Sequence, residues 1–476
     1  LYSITRNLAG AFLSERMSVL KNICYRTVVK KFNGDSVTPI LIFRRLQGER
    51  KFLFESSSQY SNNSQYSYIG VNPVKTIVGS NQQIIETNYH TNKVTEHIGD
   101  MFANLKYLMP EFKSDEPYAF IGGAIGYASY HTMNGASQEE CEINIPDLQF
   151  DLYDTVIIYD HLTDEVIVVH TDFERSYEDA KVEQLIQAIF TTTVNRGGSY
   201  ELSAFQSVIT DKHYSQLVQQ AQAYILEGKV AQLVLSKRLV AQMSGDAFSL
   251  YRKLRKLTPA PYMYYSQFPD HVIIGVSPES VVKIEGSHVT ITPVTGARPR
   301  GLTPREDISV ELSLLQNAKE VSVHKLLVDQ TIQDLEIICA QNSIQIVEYM
   351  KPVQFKHSIR LTTEIEAMLH PFLHPIDALK ILFPPASSSG VPKRTASEII
   401  NKLEPIARSF YGGALGYFSL NGNVNFTLLQ QTMLIKNNRA YIQAGANILS
   451  DTQEADAILE TRKKIKAFTM IEETRK

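Results

Sequence analysis

Through most of the first half of the chain, apolar residues alternate with polar ones or form short runs between turn residues, a pattern that predicts strands. PILIFRRL (39–46) and KFLFES (51–56) flank a glycine-containing turn and read as a hairpin. DTVIIYD (154–160) and EVIVVH (165–170), separated by HLT and Asp164, read as a second hairpin, and IGGAIGYASY (121–130) as a glycine-rich strand between the two. The period changes at DAKVEQLIQAIFTT (179–192), where apolar residues recur at helical spacing. NRGGSYE (195–201), with Gly197 and Gly198, then reads as a linker. The chain is therefore divided into a strand-rich region, 1–195, expected to pack on the rest, and a second lobe, 205–476.

The second lobe mixes both periods. DKHYSQLVQQAQAYILEG (211–228) is helical, with Gly228 placed to end it. AQLVLSKRL (231–239), HVIIGVSPESVVKIEG (271–286) and HVTITPV (288–294) read as strands. Thr303, Pro304 and Glu306 make a capping box with proline in the first turn, and predict a helix running to about Ala340. Further helices are predicted from Pro392 and from Asp451, the latter boxed by Glu454 and continuing to the C-terminus. Strands and helices that do not alternate regularly predict an α+β fold, not a doubly wound parallel sheet. GGAIGY (122–127) and GGALGY (412–417) echo each other, and two strands with close backbone approach account for the echo without a repeat.

Composition narrows the function classes. The 476 residues carry 47 Lys and Arg against 50 Asp and Glu, a net charge of -3, so no basic field for nucleic acid or an anionic membrane is expected. No apolar run approaches the roughly 18 residues of a membrane span. LYSITRNLAGAFL lacks the ordered regions of a signal peptide. Cys24, Cys141 and Cys339 are too scattered for a metal pattern or a disulfide framework, so a reducing, cytoplasmic location is expected. The stretch with the most chemistry is ITPVTGARPRG (291–301). Its glycines bring N–H groups close and its arginines match carboxylates bidentately, so it reads either as an anion-binding turn or as a solvated basic one.

That turn has company. LEGKVAQLVLSKR (226–238), VSPES (276–280), PVTGARPRG (293–301), TPREDISVELSLLQNAKE (303–320), LLVD (326–329), FPPASSSGVPKRTASEIINKLEP (383–405), YGGALGY (411–417) and QAGANILSD (443–451) resemble, in order and spacing, the chorismate-utilising enzymes, most closely anthranilate synthase component I. FLFES (52–56), QYSYIG (65–70) and PYMYY (261–265) extend the resemblance over nearly the whole chain. It implies a large α/β sandwich of facing antiparallel sheets flanked by helices, with the active site in a cleft. It also implies conversion of chorismate and ammonia to anthranilate and pyruvate in tryptophan biosynthesis, with Mg²⁺ as cofactor. Ammonia would come from a glutamine amidotransferase subunit, since no G-x-C-x-G nucleophile turn occurs in the chain.

The resemblance assigns roles residue by residue. Gln232 stands where water-using relatives carry lysine, and Thr295 where one type of aminodeoxychorismate synthase carries a nucleophilic lysine, so both favour an ammonia user. Glu320 in KEVSVH and Glu460 in AILET match two metal-site carboxylates, but Val323 and Ala457 replace their partners, and valine offers no ligand to a metal. His324, Tyr411 and the hydroxyl of Ser387 are retained, the last beside Ala386. Arg360 in HSIRL replaces a histidine implicated in the departure of the hydroxyl, and its pKa is too high for that role. Substrate carboxylates are expected at Arg298 and Gly445, and at Gln431 and Asn447, which replace an arginine and a glycine. Ala297 replaces a threonine, and Arg360 is expected to supply the charge lost at Gln431. Phe54, Glu55 and Ser56, with Pro261, Tyr262 and Met263, resemble the segments that hold feedback L-tryptophan, with Glu55 facing its ammonium. FLFES reads equally as an ordinary strand edge.

Three functions remain open on these residues. One is an anthranilate synthase large subunit of low activity. The second is a relative with altered, Mg²⁺-independent chemistry on a related anion. The third is a non-enzymatic protein that binds tryptophan or partners an amidotransferase.

Overall fold

The two glycine-rich echoes meet in space. Gly123–Ala128 pairs antiparallel with Ala414–Ser419, and Gly126 lies directly opposite Gly416. A Cβ on Gly416 would sit 2.0 Å from the carbonyl oxygen of Asn425, and one on Gly126 1.9 Å from that of Gln149, so neither position accepts a side chain. This is a computed structural model describing residues 26–57, 65–110, 114, 116–132, 143–172, 179–193 and 197–473; Cys24, Cys141 and the opening segment LYSITRNLAGAFL lie outside them.

The described strands form two large antiparallel sheets flanked by helices. The first runs Arg26–Asn33, Glu165–Asp172, Thr155–Asp160, Tyr66–Gly70, Phe52–Glu55, Tyr262–Gln267, His271–Ser277, Thr432–Lys436, Arg439–Ile448, Gln232–Gly245, Tyr200–Leu202. The second runs Val294–Pro299, Ser358–Met368, His288–Ile291, Ser280–Glu285, Val424–Leu428, Ala414–Ser419, Gly123–Ala128, Leu148–Tyr153, Lys75–Ser80, Gln83–Asn88, Lys93–Ile98. Each sheet contains strands from both halves of the sequence, joined at Phe54↔Tyr264 in one and Gly126↔Gly416 in the other. A shared core follows: Phe52 and Tyr68 of the first sheet cluster with Phe150, Val282 and Phe426 of the second. This is the facing-sheet α+β sandwich that the resemblance implies. Among the described residues no helix is long and apolar enough to cross a membrane.

Three local expectations are corrected. Residues 39–46 are not a strand: Pro39–Arg45 is a helix, started by Thr38, whose Oγ1 accepts the Leu41 amide at 3.2 Å, with proline in the first turn. A short all-apolar run does not distinguish the two periods; the cap and the stacking of Phe43 on Phe248, centroids 4.0 Å apart, settle it as a helix. The helix from Thr303 does start with its box, Leu302 N donating to Glu306 Oε2 at 2.7 Å, but it does not run on to Ala340. It stops at Gln316, and Asn317 caps a second helix, Ala318–Ile338, by accepting the Glu320 amide on Oδ1 at 3.0 Å. The last helix spans Glu454–Glu473, beginning beyond Asp451.

Candidate active site

The arginine-rich stretch is mostly strand, not turn. Val294–Pro299 pairs with Ser358–Met368 across a bulge between Thr295 and Arg298. The two arginines then part company. Arg300 is structural: Nε lies 2.9 Å from Oδ1 of buried Asp307, and its other nitrogens reach the Phe355 carbonyl and Gln354 Oε1, each at 3.0 Å. Arg298 is left close enough to Glu320 to act on its charge. Gly296, at φ +64°, lets the backbone pass beneath that carboxylate; a Cβ there would be 3.3 Å from Glu320 Oε2.

The opposite wall comes from two paired strands and the last helix. Val234 lies opposite Asn447 and Ser236 opposite Gly445, so Gln232, Asn447 and Gly445 share one face of the sheet. Gly445 makes room for Tyr411, whose Oη would sit 2.7 Å from a Cβ at that position. Glu460 and Lys464, one helical turn apart, close over this face. Lys464 Nζ donates to Glu460 Oε1 at 2.9 Å and to the Gly445 carbonyl at 2.7 Å. Glu460 Oε1 also lies 3.4 Å from both the backbone N and the Nδ2 of Asn447. Asn447 Oδ1 in turn accepts from Gln232 Nε2 at 2.7 Å. Gln232 is fully buried, and its Oε1 has no donor among the described residues. Burial works against the charge on Lys464, but Glu460 and Tyr411 outweigh it and raise its pKa, so the ammonium persists. Glu320 is raised by burial, opposed by Arg298 and raised further by Glu460, which places both carboxylates and both cations in one electrostatic neighbourhood.

A third group adjoins it. Glu279, in the turn of VSPES, is buried and accepts a hydrogen bond from Ser387 Oγ. Burial pushes its carboxyl up to about 7, against the opposing pull of that bond, Arg360 and Lys464. Arg360 is lowered to about 10 by burial, against the pull of Glu279, so it stays charged at neutral pH and is no proton donor there. Gln430 Nε2, rather than Gln431, reaches the Ser387 carbonyl, at 3.3 Å; Gln431 accepts the Val276 amide on its backbone oxygen at 3.0 Å. Glu279 thus holds a proton that is available near neutrality. Its raised pKa favours the folded state below the ordinary carboxyl range, and that contribution is lost as pH rises through about 7. Denaturant titrations of wild type and E279Q at pH 5 and pH 8 are expected to show wild type losing up to about 3 kcal/mol more than the variant over this interval; equal losses would rule the shift out.

His324 offers no free ring nitrogen to a substrate. It is fully buried, with Nδ1 and Nε2 each 2.7 Å from a threonine hydroxyl, of Thr295 and Thr363. Burial lowers it to about 4, so the neutral ring ties the strand that carries Arg298 to the next. Thr295 is therefore occupied as well.

Two carboxylates do not make the octahedral oxygen cage that Mg²⁺ requires. Val323 and Ala457 are 3 % and 1 % exposed, Ala457 within an apolar cluster with Leu217 and Ile448. Glu460 is already engaged by Lys464 and Asn447. No group of three or more His, Cys, Asp or Glu placed to hold a metal occurs among the described residues. The implied Mg²⁺ does not fit the donors present.

The segments around 52–56 and 261–265 are adjacent strands, with Met263 opposite Glu55. They line a cavity of about 550 Å³ between the sheets, away from the cleft, together with Tyr417 and Asn425. Glu55 does not offer its carboxylate to a ligand there. Oε2 accepts from Tyr251 Oη at 2.7 Å and Oε1 from Arg255 at 2.8 Å, both on the helix Ala247–Leu257. Oδ1 of Asn425 has no hydrogen-bond partner among the described residues.

A family model of chorismate binding enzymes matches residues 49–470. This chain belongs to the chorismate binding enzyme family. Anthranilate synthase component 1 of Lactococcus lactis subsp. lactis is 32% identical over 456 residues, covering 93% of this chain and 99% of the relative. That of Acetivibrio thermocellus is 32% identical over 449 residues, covering 89% and 90%. The crystal structure of anthranilate synthase component I from Streptococcus pneumoniae superposes with a TM-score of 0.78 at 29% identity, over 92% of this chain and 98% of that one. The menaquinone-specific isochorismate synthase of Escherichia coli superposes with a TM-score of 0.73 at 16% identity, over 98% and 99%, a likeness of fold alone.

In this member of the chorismate binding family, sequence reasoning missed Glu279 and Lys464. Both lie inside segments that carry the resemblance or adjoin it, VSPES and ETRKK. The one readable signal was Lys464 four residues after Glu460, the spacing of a helical ion pair. Nothing local marks Glu279, because its shift comes from burial and from residues far away in the sequence.

Proposed function

We propose that this chain is the large component of an anthranilate synthase: it converts chorismate and ammonia to anthranilate, pyruvate and water, taking ammonia from a glutamine amidotransferase partner. The observation that carries the reading is the buried, donor-free Oε1 of Gln232, beside a cleft edged by Arg298, Arg360 and Lys464. An amide oxygen with no protein donor accepts an N–H and holds ammonia for attack on the ring, whereas a lysine there would activate water. Arg298, Arg360 and Lys464 hold carboxylates. Glu279, protonated near neutrality, is suited to give its proton to the departing hydroxyl, which leaves as water. No step here is assigned to Mg²⁺.

The second reading, a protein that binds its anion without efficient turnover, is favoured by the apolar residues at Val323 and Ala457. Product analysis separates the two: chorismate with ammonium yields anthranilate in the first case and is recovered unchanged in the second. Appearance of isochorismate instead would place the chain with the water users.

The cavity between the sheets supports a regulatory L-tryptophan site within the same proposal. Tyr262, Met263 and Tyr417 supply an aromatic-lined slot, and Asn425 Oδ1 an open acceptor. Calorimetry is expected to show saturable L-tryptophan binding that M263A weakens by roughly tenfold, the scale of a lost apolar contact. No heat at millimolar L-tryptophan would remove this site from the proposal.

A further inference from the structure

We propose that the cleft binds its carboxylate ligand through protein cations alone, the ammonium of Lys464 taking up Glu460 in place of a divalent ion. This deepens the reading of the cleft as a chorismate site and rests on it. Three observations converge. Lys464 Nζ already occupies the contact with Glu460 Oε1, at 2.9 Å, and is fixed from behind by the Gly445 carbonyl at 2.7 Å. Asn447 turns its amide toward the same Glu460 oxygen, so an ion bound at Oε1 would have to displace both groups. Val323 is buried, Ala457 is packed in an apolar cluster, and neither brings an oxygen to replace them.

Charge supports the same conclusion. Glu320 and Glu460 are set against Arg298, Arg360 and Lys464, so these groups already carry more positive than negative charge before any ion arrives. A divalent ion added to such a part-buried cluster gains little, while two carboxylates of a ligand find three cations. Lys464 is held by one carboxylate and one carbonyl, which leaves the third N–H of its ammonium for the ligand.

The test uses the full chain, with two readouts. Mn²⁺, titrated as a Mg²⁺ substitute and followed by electron paramagnetic resonance, is expected to show no site tighter than millimolar. Calorimetric titration with chorismate is expected to give the same affinity, within about twofold, in EDTA and in Mg²⁺. K464M is expected to weaken chorismate by roughly tenfold or more, with K464R retaining most of the affinity. Tenfold tighter chorismate binding in Mg²⁺, or a Mn²⁺ site that disappears in E460Q, would overturn the inference and leave the chorismate reading intact. A cleft that takes chorismate in neither buffer would overturn that reading and Lys464's role with it. The comparison of buffers is made on wild type, so a variant that fails to fold does not remove the test.

Discussion

Supplied with chorismate, ammonium and Mg²⁺, the purified chain is expected to form anthranilate at least about 10⁴-fold more slowly than a fully equipped site. Each interaction made in the transition state is typically worth roughly 10²- to 10³-fold. The family resemblance implies that Val323 stands in place of a metal ligand, Arg360 in place of a proton-donating histidine and Gln431 in place of a carboxylate clamp. Groups that act as a unit do not lose activity additively, so the expected rate corresponds to about two complete losses rather than three. The geometry makes single repair ineffective. In V323E a new carboxylate would enter a position 3 % exposed, and Glu460 would still be held by Lys464 and Asn447. V323E alone is expected to leave the rate unchanged, while V323E, R360H, Q431R and A457E together recover part of it. With Glu279 as the proposed proton donor, residual activity is expected to fall as pH rises through about 7. Anthranilate fluorescence measures all of this, and wild-type turnover near roughly 1 s⁻¹, the low end of ordinary enzymes, would show that the substitutions do not disable the site.

The second large effect concerns the frame behind the cleft. R408M is expected to destabilise the protein by about 3–5 kcal/mol, the cost of leaving a buried charge without its partner. Arg408 and Glu404 lie four residues apart, just beyond the end of the helix Lys393–Leu403, with side chains 1% and 5% exposed, joined at 2.7 Å. Arg408 also donates to the Ser388 carbonyl at 2.6 Å and to the Val234 carbonyl at 2.5 Å, while Glu404 Oε1 accepts the Ser236 amide at 2.6 Å and its hydroxyl at 2.9 Å. One ion pair therefore ties the strand that carries Gln232 to the segment that carries Ser387. Removing both charges relieves the isolated carboxylate, so the R408M, E404Q double variant is expected to be more stable than R408M alone. Urea denaturation with Gln232-region hydrogen exchange reads both effects; a loss below about 1 kcal/mol, the scale of an exposed pair, would show that the pair is not a support of the site.

What the sequence by itself determined was whatever depends on neighbours close along the chain. The capping box at Thr303 and the hairpin of 154–160 with 165–170 follow from residues a few positions apart. Motif order carried the family, because spacing between segments is preserved even where single residues are not. The tertiary structure decided what depends on partners distant in sequence. Periodicity reports that a face is buried, not what it is buried against: Pro39–Arg45 is a helix beneath Phe248, and His324 is a strut between Thr295 and Thr363. The same holds for charge. Arg298 and Arg300 look alike in GARPRG until Asp307 takes one and Glu320 faces the other, and Glu55 looks open until Tyr251 and Arg255 close on it. Burial and electrostatic partnership are set by through-space distance, and folding brings together groups that hundreds of residues of chain keep apart.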